Sequence, residues 1–177
     1  AVSSNKYDGG AVITASHNPK QYNGIKLVGR QASALSSDKG ISDIRDMIIS
    51  NEIPSPVKAL GTLSQAQLLD QYVAHVLSFI DLSVIKPFRL ILDAGNGMAG
   101  LAAPRVFDSL PCQSTFQCFE IDGTFPNHEA NPLIEANRQD LVSSVLASQA
   151  DLGIAWDGDA DRCFFVDGNG DFVPGDF

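Results

Sequence analysis

The chain has 177 residues, 44% of them hydrophobic, and a formal net charge of −9. That apolar content builds one or two ordinary cores, and the acid excess disfavours nucleic acid and anionic membrane as partners, because either needs a basic patch. No apolar run is long enough to cross a bilayer and the first residues lack the parts of a signal peptide, so a cytoplasmic protein is expected. Cys112, Cys118 and Cys163 are odd in number and form no CxxC pair, which argues against a disulfide framework and a cysteine zinc site. They read as reduced, buried thiols. The missing initial methionine and an end just after the strand-like Phe172-Val173 suggest a piece of a longer chain.

In chain order, residues 9–14 read as a buried strand, followed by the polar loop 15–19 and a short strand over 25–28. A helix is expected over 41–49, with Ile41, Ile44 and Ile48 on one face. Pro54-Ser55-Pro56 then breaks it, and a domain boundary is placed near residue 60. Ser64 and Gln67 have capping-box spacing ahead of a helical apolar face that runs from Leu68 to Ile80. His75 falls on the polar side of that helix and reads as solvated. A strand at 88–92, a glycine-rich turn, a helix at 101–110, a strand at 115–121 and a long Pro/Asn-rich loop follow. Asn137 is expected to cap a helix reaching residue 149, which leads to a strand at 151–156 and short strands at 163–166 and 172–173. Strands alternating with helices imply an α/β domain with helices packed on a mainly parallel sheet.

Four stretches carry candidate chemistry. Asp157-Gly-Asp159-Ala-Asp161-Arg162 follows a strand directly. Three carboxylates at alternate positions on a tight loop can converge on one hard divalent cation such as Mg²⁺; the plainer alternative is an acidic surface turn. Calcium sensing fits poorly, because Arg162 stands at the sixth loop position and Gly168 at the twelfth. In Thr14-Ala-Ser16-His17-Asn-Pro19, a serine at a strand exit is placed to act as nucleophile or phosphate carrier, although a polar turn closed by Pro19 reads as well. Lys26, on the next strand, offers a cation or is a surface lysine.

Gly95-Asn-Gly97-Met-Ala-Gly100, with Glu120 and Asp122 downstream, formally meets the dinucleotide fingerprint, but the same glycines serve any tight strand-to-helix turn. His128 and Glu129, within Phe125-Pro-Asn-His-Glu-Ala-Asn-Pro132, are candidates for catalysis or parts of an ordered connection.

Taken together, Thr-Ala-Ser-His-Asn-Pro, the following Tyr22-Asn-Gly-Ile-Lys26 and the distant Asp-Gly-Asp-Ala-Asp-Arg resemble the serine and metal loops of the α-D-phosphohexomutases. The likeness runs from about Asp8 to the last residue, and Asp161-Arg-Cys-Phe brings it nearest to the bacterial phosphomannomutase branch. It implies a phosphorylated Ser16, with Mg²⁺ held by Asp157, Asp159, Asp161 and an oxygen at Ser16, and with Lys26, Arg162 and His17 in the active site. It further implies a phosphosugar substrate, a hexose 1,6-bisphosphate intermediate and four domains, the first three being three-layer α/β/α with small mixed sheets. Residues 1–59 would be the C-terminal part of the first domain and 60–177 the second, and this fragment alone would be inactive.

Two rival readings stand beside it. A haloacid-dehalogenase-type phosphatase would use Asp157 and Asp159 as nucleophile and acid, although Asp161 sits where that class wants Thr or Val. A dinucleotide-binding module would rest on Gly95 to Gly100.

Overall fold

The computed structural model describes residues 1–55 and 61–175, so the expected domain boundary near residue 60 lies outside the described residues. By internal contacts the chain forms two compact units, one from Ala1–Ile13 with Ile25–Leu68, the other from Thr14–Gly24 with Leu69–Phe177.

In the first unit, β1 (Gly10–Ile13) pairs antiparallel with β2 (Ile25–Val28), Val12 standing opposite Lys26. Helix α1 (Ile41–Ser50) ends where Asn51 turns left-handed (φ 57°) and returns its N–H to the Ile48 and Met47 carbonyls. The expectation of a buried first strand is not met. Val12 is 55% exposed and Ile13 65%, because β1 and β2 form a ribbon of only two strands.

The second unit holds a mixed five-stranded sheet in the order β4-β3-β5-β6-β7. Strands β3 (Arg89–Asp93), β4 (Gln113–Gln117) and β5 (Leu152–Trp156) run parallel, while β6 (Cys163–Asp167) and β7 (Phe172–Val173) continue antiparallel. Period-two alternation divides β3 between two clusters. Ile91 packs with Leu141 and Val145 of helix α4 (Gln139–Ser148), and Leu90 and Leu92 pack with Ile154 and Phe107, the last residue of helix α3 (Ala99–Phe107). Helices therefore cover both faces, which makes three layers. Gly153 lets α4 lie close, since a Cβ there would stand 2.8 Å from a Val145 methyl. Helix α2 (Leu69–Leu77) packs on α3.

Several boundaries depart from expectation. Helix α2 starts at Leu69, so Ser64 caps nothing. Residues 61–67 are exposed, Leu63 97% so, and a capping box offers too little to nucleate a turn that packs on nothing. Asn137 does not cap α4; its side chain donates to the Asn131 carbonyl at 3.0 Å, and a 3-10 turn, Glu135–Arg138, leads into the helix. β4 stops at Gln117 because Cys118 takes a left-handed φ of 53°. The three cysteines are free, as expected, but none is fully buried and Cys163 is exposed. His75 is exposed, its ring edge-on to Phe79. Among the described residues no helix is long and apolar enough to cross a membrane.

The chain leaves β3 for β4 on one side and returns through α4 to β5 on the other. Loops at the C-terminal ends of β3 and β5 thus diverge, and in such sheets ligands bind in the crevice this creates.

Candidate active site

The loop after β5 is a short hairpin connection to β6, closed by the Trp156–Cys163 pair. Asp157, at its start, is fully buried. Its Oδ1 accepts the Arg162 backbone N–H at 3.1 Å, and its Oδ2 accepts from the Arg162 guanidinium at 3.0 Å (Nε) and 2.6 Å (Nη2). A buried charge needs this kind of compensation. The turn itself is fixed by Ala160, left-handed at φ 60°, whose N–H reaches the Asp157 carbonyl.

The serine loop, Thr14–Gly24, belongs to this same unit. Ser16 has a left-handed φ of 56°, a costly conformation for a residue with a Cβ. It is held by the Thr14 hydroxyl, which accepts the Ser16 N–H at 2.9 Å and donates at 2.9 Å to Asp159 Oδ2. The Ser16 hydroxyl in turn donates to Asp157 Oδ2 at 3.0 Å and accepts from Arg162 Nη2 at 3.0 Å. His17 Nδ1 meets the same Nη2 and lies 3.4 Å from Ser16 Oγ. Gly158 makes the approach possible, because a Cβ there would stand 2.3 Å from the Ser16 carbonyl oxygen.

One carboxylate oxygen from each of Asp157, Asp159 and Asp161 lies within 4.8 Å of the other two. An all-oxygen set this tight can hold a hard divalent cation. The structure thus brings together Ser16, His17, Arg162 and the three aspartates, although the serine and acidic loops are 141 residues apart in sequence. Lys26 sits within β2, in the other unit. Asp157, wholly buried beneath Arg162 and Ser16, is poorly placed for the phosphatase nucleophile's role.

The glycine-rich turn works inside the protein. A Cβ on Gly97 would stand 2.7 Å from the Gly158 carbonyl oxygen, and one on Gly100 would stand 2.3 Å from that of Phe119. Met98 N–H donates to the Gly158 carbonyl at 2.9 Å. The space a pyrophosphate would need is filled by backbone: Gly97 packs on the acidic loop and Gly100 on the segment after β4. Glu120 offers only its carbonyl, to the Asn96 side chain, and Asp122 Oδ1 accepts from Thr124 N–H.

Sequence reasoning gave Thr14 no role; its signal was a hydroxyl two residues before the serine. It also missed the pairing of Asp93, buried at the end of β3, with His128. His128 Nε2 lies 3.0 Å from Asp93 Oδ2, and Nδ1 lies 3.0 Å from the Glu129 carbonyl. The hydrogen bond to Asp93 pushes His128 up to about 8 against the opposing effect of burial. Burial, followed by the charges of Asp93 and Asp140, pushes the Cys118 thiol up to about 11, which argues against a nucleophile there.

A three-layer α/β unit is also what the comparisons describe. Residues 70–170 match the phosphoglucomutase/phosphomannomutase α/β/α domain II, and residues 1–53 match domain I of the same family; the chain belongs to that family. It is 43% identical over 170 residues to a protein named phosphohexose mutases from Xanthomonas campestris pv. campestris, an alignment covering 96% of this chain and 38% of the relative. A phosphomannomutase from Vibrio cholerae is 42% identical over 173 residues, which cover 95% of this chain and 37% of that protein. Among solved structures, a phosphoglucomutase/phosphomannomutase family protein from Burkholderia thailandensis superposes with a TM-score of 0.82 at 36% identity, over 94% of this chain and 35% of that one. The chain therefore spans a little over a third of the length of these relatives.

Proposed function

We propose that this chain carries the phosphoryl-transfer centre of a cytoplasmic, Mg²⁺-dependent phosphohexomutase that interconverts hexose 6-phosphate and hexose 1-phosphate, with mannose the favoured sugar. The observation that carries the reading is the Ser16 hydroxyl, 3.0 Å from Asp157 Oδ2 within a triplet of converging carboxylates. Phosphomannomutase is the name of a relative at 42% identity, which favours mannose.

In this proposal Asp157, Asp159, Asp161 and an oxygen at Ser16 hold Mg²⁺, which when bound neutralises phosphoryl charge. Arg162, already at hydrogen-bond distance from Ser16 Oγ, presents a planar fork suited to phosphoryl oxygens. His17 orders that guanidinium. Lys26 adds positive charge or takes the proton from the attacking sugar hydroxyl. The Ser16–phosphorus bond breaks as a hydroxyl oxygen of the hexose phosphate bonds to phosphorus, and that hydroxyl's proton passes to the base. The resulting hexose 1,6-bisphosphate returns its other phosphoryl group to Ser16 by the reverse step.

Residues 1–59 would end a first α/β domain carrying the serine loop, and residues 60–177 would form the second, carrying the metal loop. Residues 1–177 alone are expected not to turn over, since they span about 38% of a full-length relative.

Peptide mapping of the full-length protein after incubation with labelled hexose 1,6-bisphosphate tests the reading. Label on Ser16, lost in Ser16→Ala, is the expected result. Label on Asp157, or none on Ser16, would overturn it.

A further inference from the structure

At the C-terminal edge of the parallel strands, Asp93 from the end of β3, Cys118 just past β4 and His128 from the following loop form a second cluster. One donor atom from each lies within 4.8 Å of the other two. Nothing in the proposed phosphoryl transfer uses these residues. The Asp93 side chain is 2% exposed and that of His128 12%.

The imidazole is in an unusual position. Its Nδ1 faces the Glu129 carbonyl and its Nε2 faces Asp93 Oδ2, each at 3.0 Å. Both neighbours only accept, whereas a neutral imidazole has one N–H to give. With that hydrogen on Nδ1, the Nε2 lone pair points at a buried carboxylate oxygen, and only a positive species between them makes the arrangement favourable. A second proton meets the need. So does a metal ion, and here a thiol stands within reach of the same point.

We propose that Asp93 Oδ2, His128 Nε2 and Cys118 Sγ form a transition-metal site, suited to a Zn²⁺-class ion and distinct from the oxygen-only triplet at Asp157, Asp159 and Asp161. The donor types separate the two. Sulfur and imidazole nitrogen select borderline metals, and carboxylates alone select hard ones. The outer contacts a histidine–metal site requires are also present: the Glu129 carbonyl fixes the ring tautomer, and Gly95 N–H, 2.8 Å from Asp93 Oδ1, leaves Oδ2 for the ion. To reach tetrahedral spacing Oδ2 and Nε2, now 3.0 Å apart, open by a few tenths of an ångström around the ion while Sγ, within 4.8 Å of both, completes the set, leaving a fourth position for water. Binding releases the Cys118 thiol proton and any proton on Nε2 to solvent as the metal–sulfur and metal–nitrogen bonds form. The ion then ties together the ends of β3 and β4 and the loop after β4.

Titrating the full chain with Co²⁺ in excess Mg²⁺, which occupies the carboxylate triplet, tests this independently of the mutase reading. One equivalent is expected to produce thiolate-to-cobalt charge-transfer absorption that Zn²⁺ then displaces. The band should vanish in Cys118→Ser and persist in Cys112→Ser, Cys163→Ser and Asp159→Asn. Affinity should fall by more than ~100-fold in His128→Gln, beyond what loss of an outer-sphere partner costs. No band in the unsubstituted chain, a band surviving Cys118→Ser, or undiminished affinity in His128→Gln would each overturn the proposal.

Discussion

The two units differ in what holds them together. Every fully buried residue among those described lies between Leu90 and Val166, in the unit with the five-stranded sheet, and the other unit contains none. Yet the serine loop, which in sequence interrupts the coreless unit between β1 and β2, makes its contacts with the well-packed one. Ser16 thus owes its placement to the unit with the packed interior, while the strands that flank its loop in sequence belong to the other.

The sharpest test of this contrast is in the core. Leu141, 1% exposed against Ile91 and Val145, should lose about 3 kcal/mol of stability as Leu141→Ala, measured by denaturant unfolding. A change below ~1 kcal/mol would mean the core has been misassigned.

Next in size is Gly158→Ala. The new methyl would collide with the Ser16 backbone, which cannot rotate away as a side chain could, so about 2–3 kcal/mol is expected, together with slower labelling of Ser16 if the proposed phosphoryl transfer holds. Gly123→Ala, with nothing within 4 Å, is the control and should be neutral.

A third test uses pH. His128 is raised from 6.5 to about 8 in the folded state by Asp93, its closest partner, with Asp140 adding to the field; the Cys118 thiol beside it stays protonated in this range. The pair's contribution is therefore complete below pH 6.5 and disappears as pH rises through 8, about 2 kcal/mol in all. Chemical denaturation with chelator present should show this decline, and His128→Gln should remove it.

The smallest expected effect completes the comparison. Ile48→Ser, on the face of α1 and 63% exposed, should change stability by no more than ~0.5 kcal/mol. A much larger loss would reveal a cover for that face.

Local chemistry was the legible part of this molecule. The acidic loop announced itself because three carboxylates fall within five residues, and β2 was bounded correctly because Ile25–Val28 lies between turn formers. Less visible was whatever depends on distant partners. Only family resemblance joined Ser16 to Asp157, for no spacing rule spans that separation. Ser64 looked like a cap because propensity is local, but helix α2 starts where packing on α3 begins. Asn137 looked like another, and its amide was taken by Asn131. Nor does any local pattern join Asp93, at the end of β3, to His128, which reaches it from the far end of a loop.

The hairpin between β5 and β6 carries one further consequence. Its six connecting residues leave from Trp156 and return at Cys163 with the two strands already paired, so the acidic segment has no slack. Lengthening or shortening it by one residue would move the aspartates relative to both strand ends, or slip β6 so that Phe164 and Phe165 exchange the faces of the sheet they occupy. Related chains are thus expected to vary freely in the sequence of this segment's neighbours and hardly at all in its length.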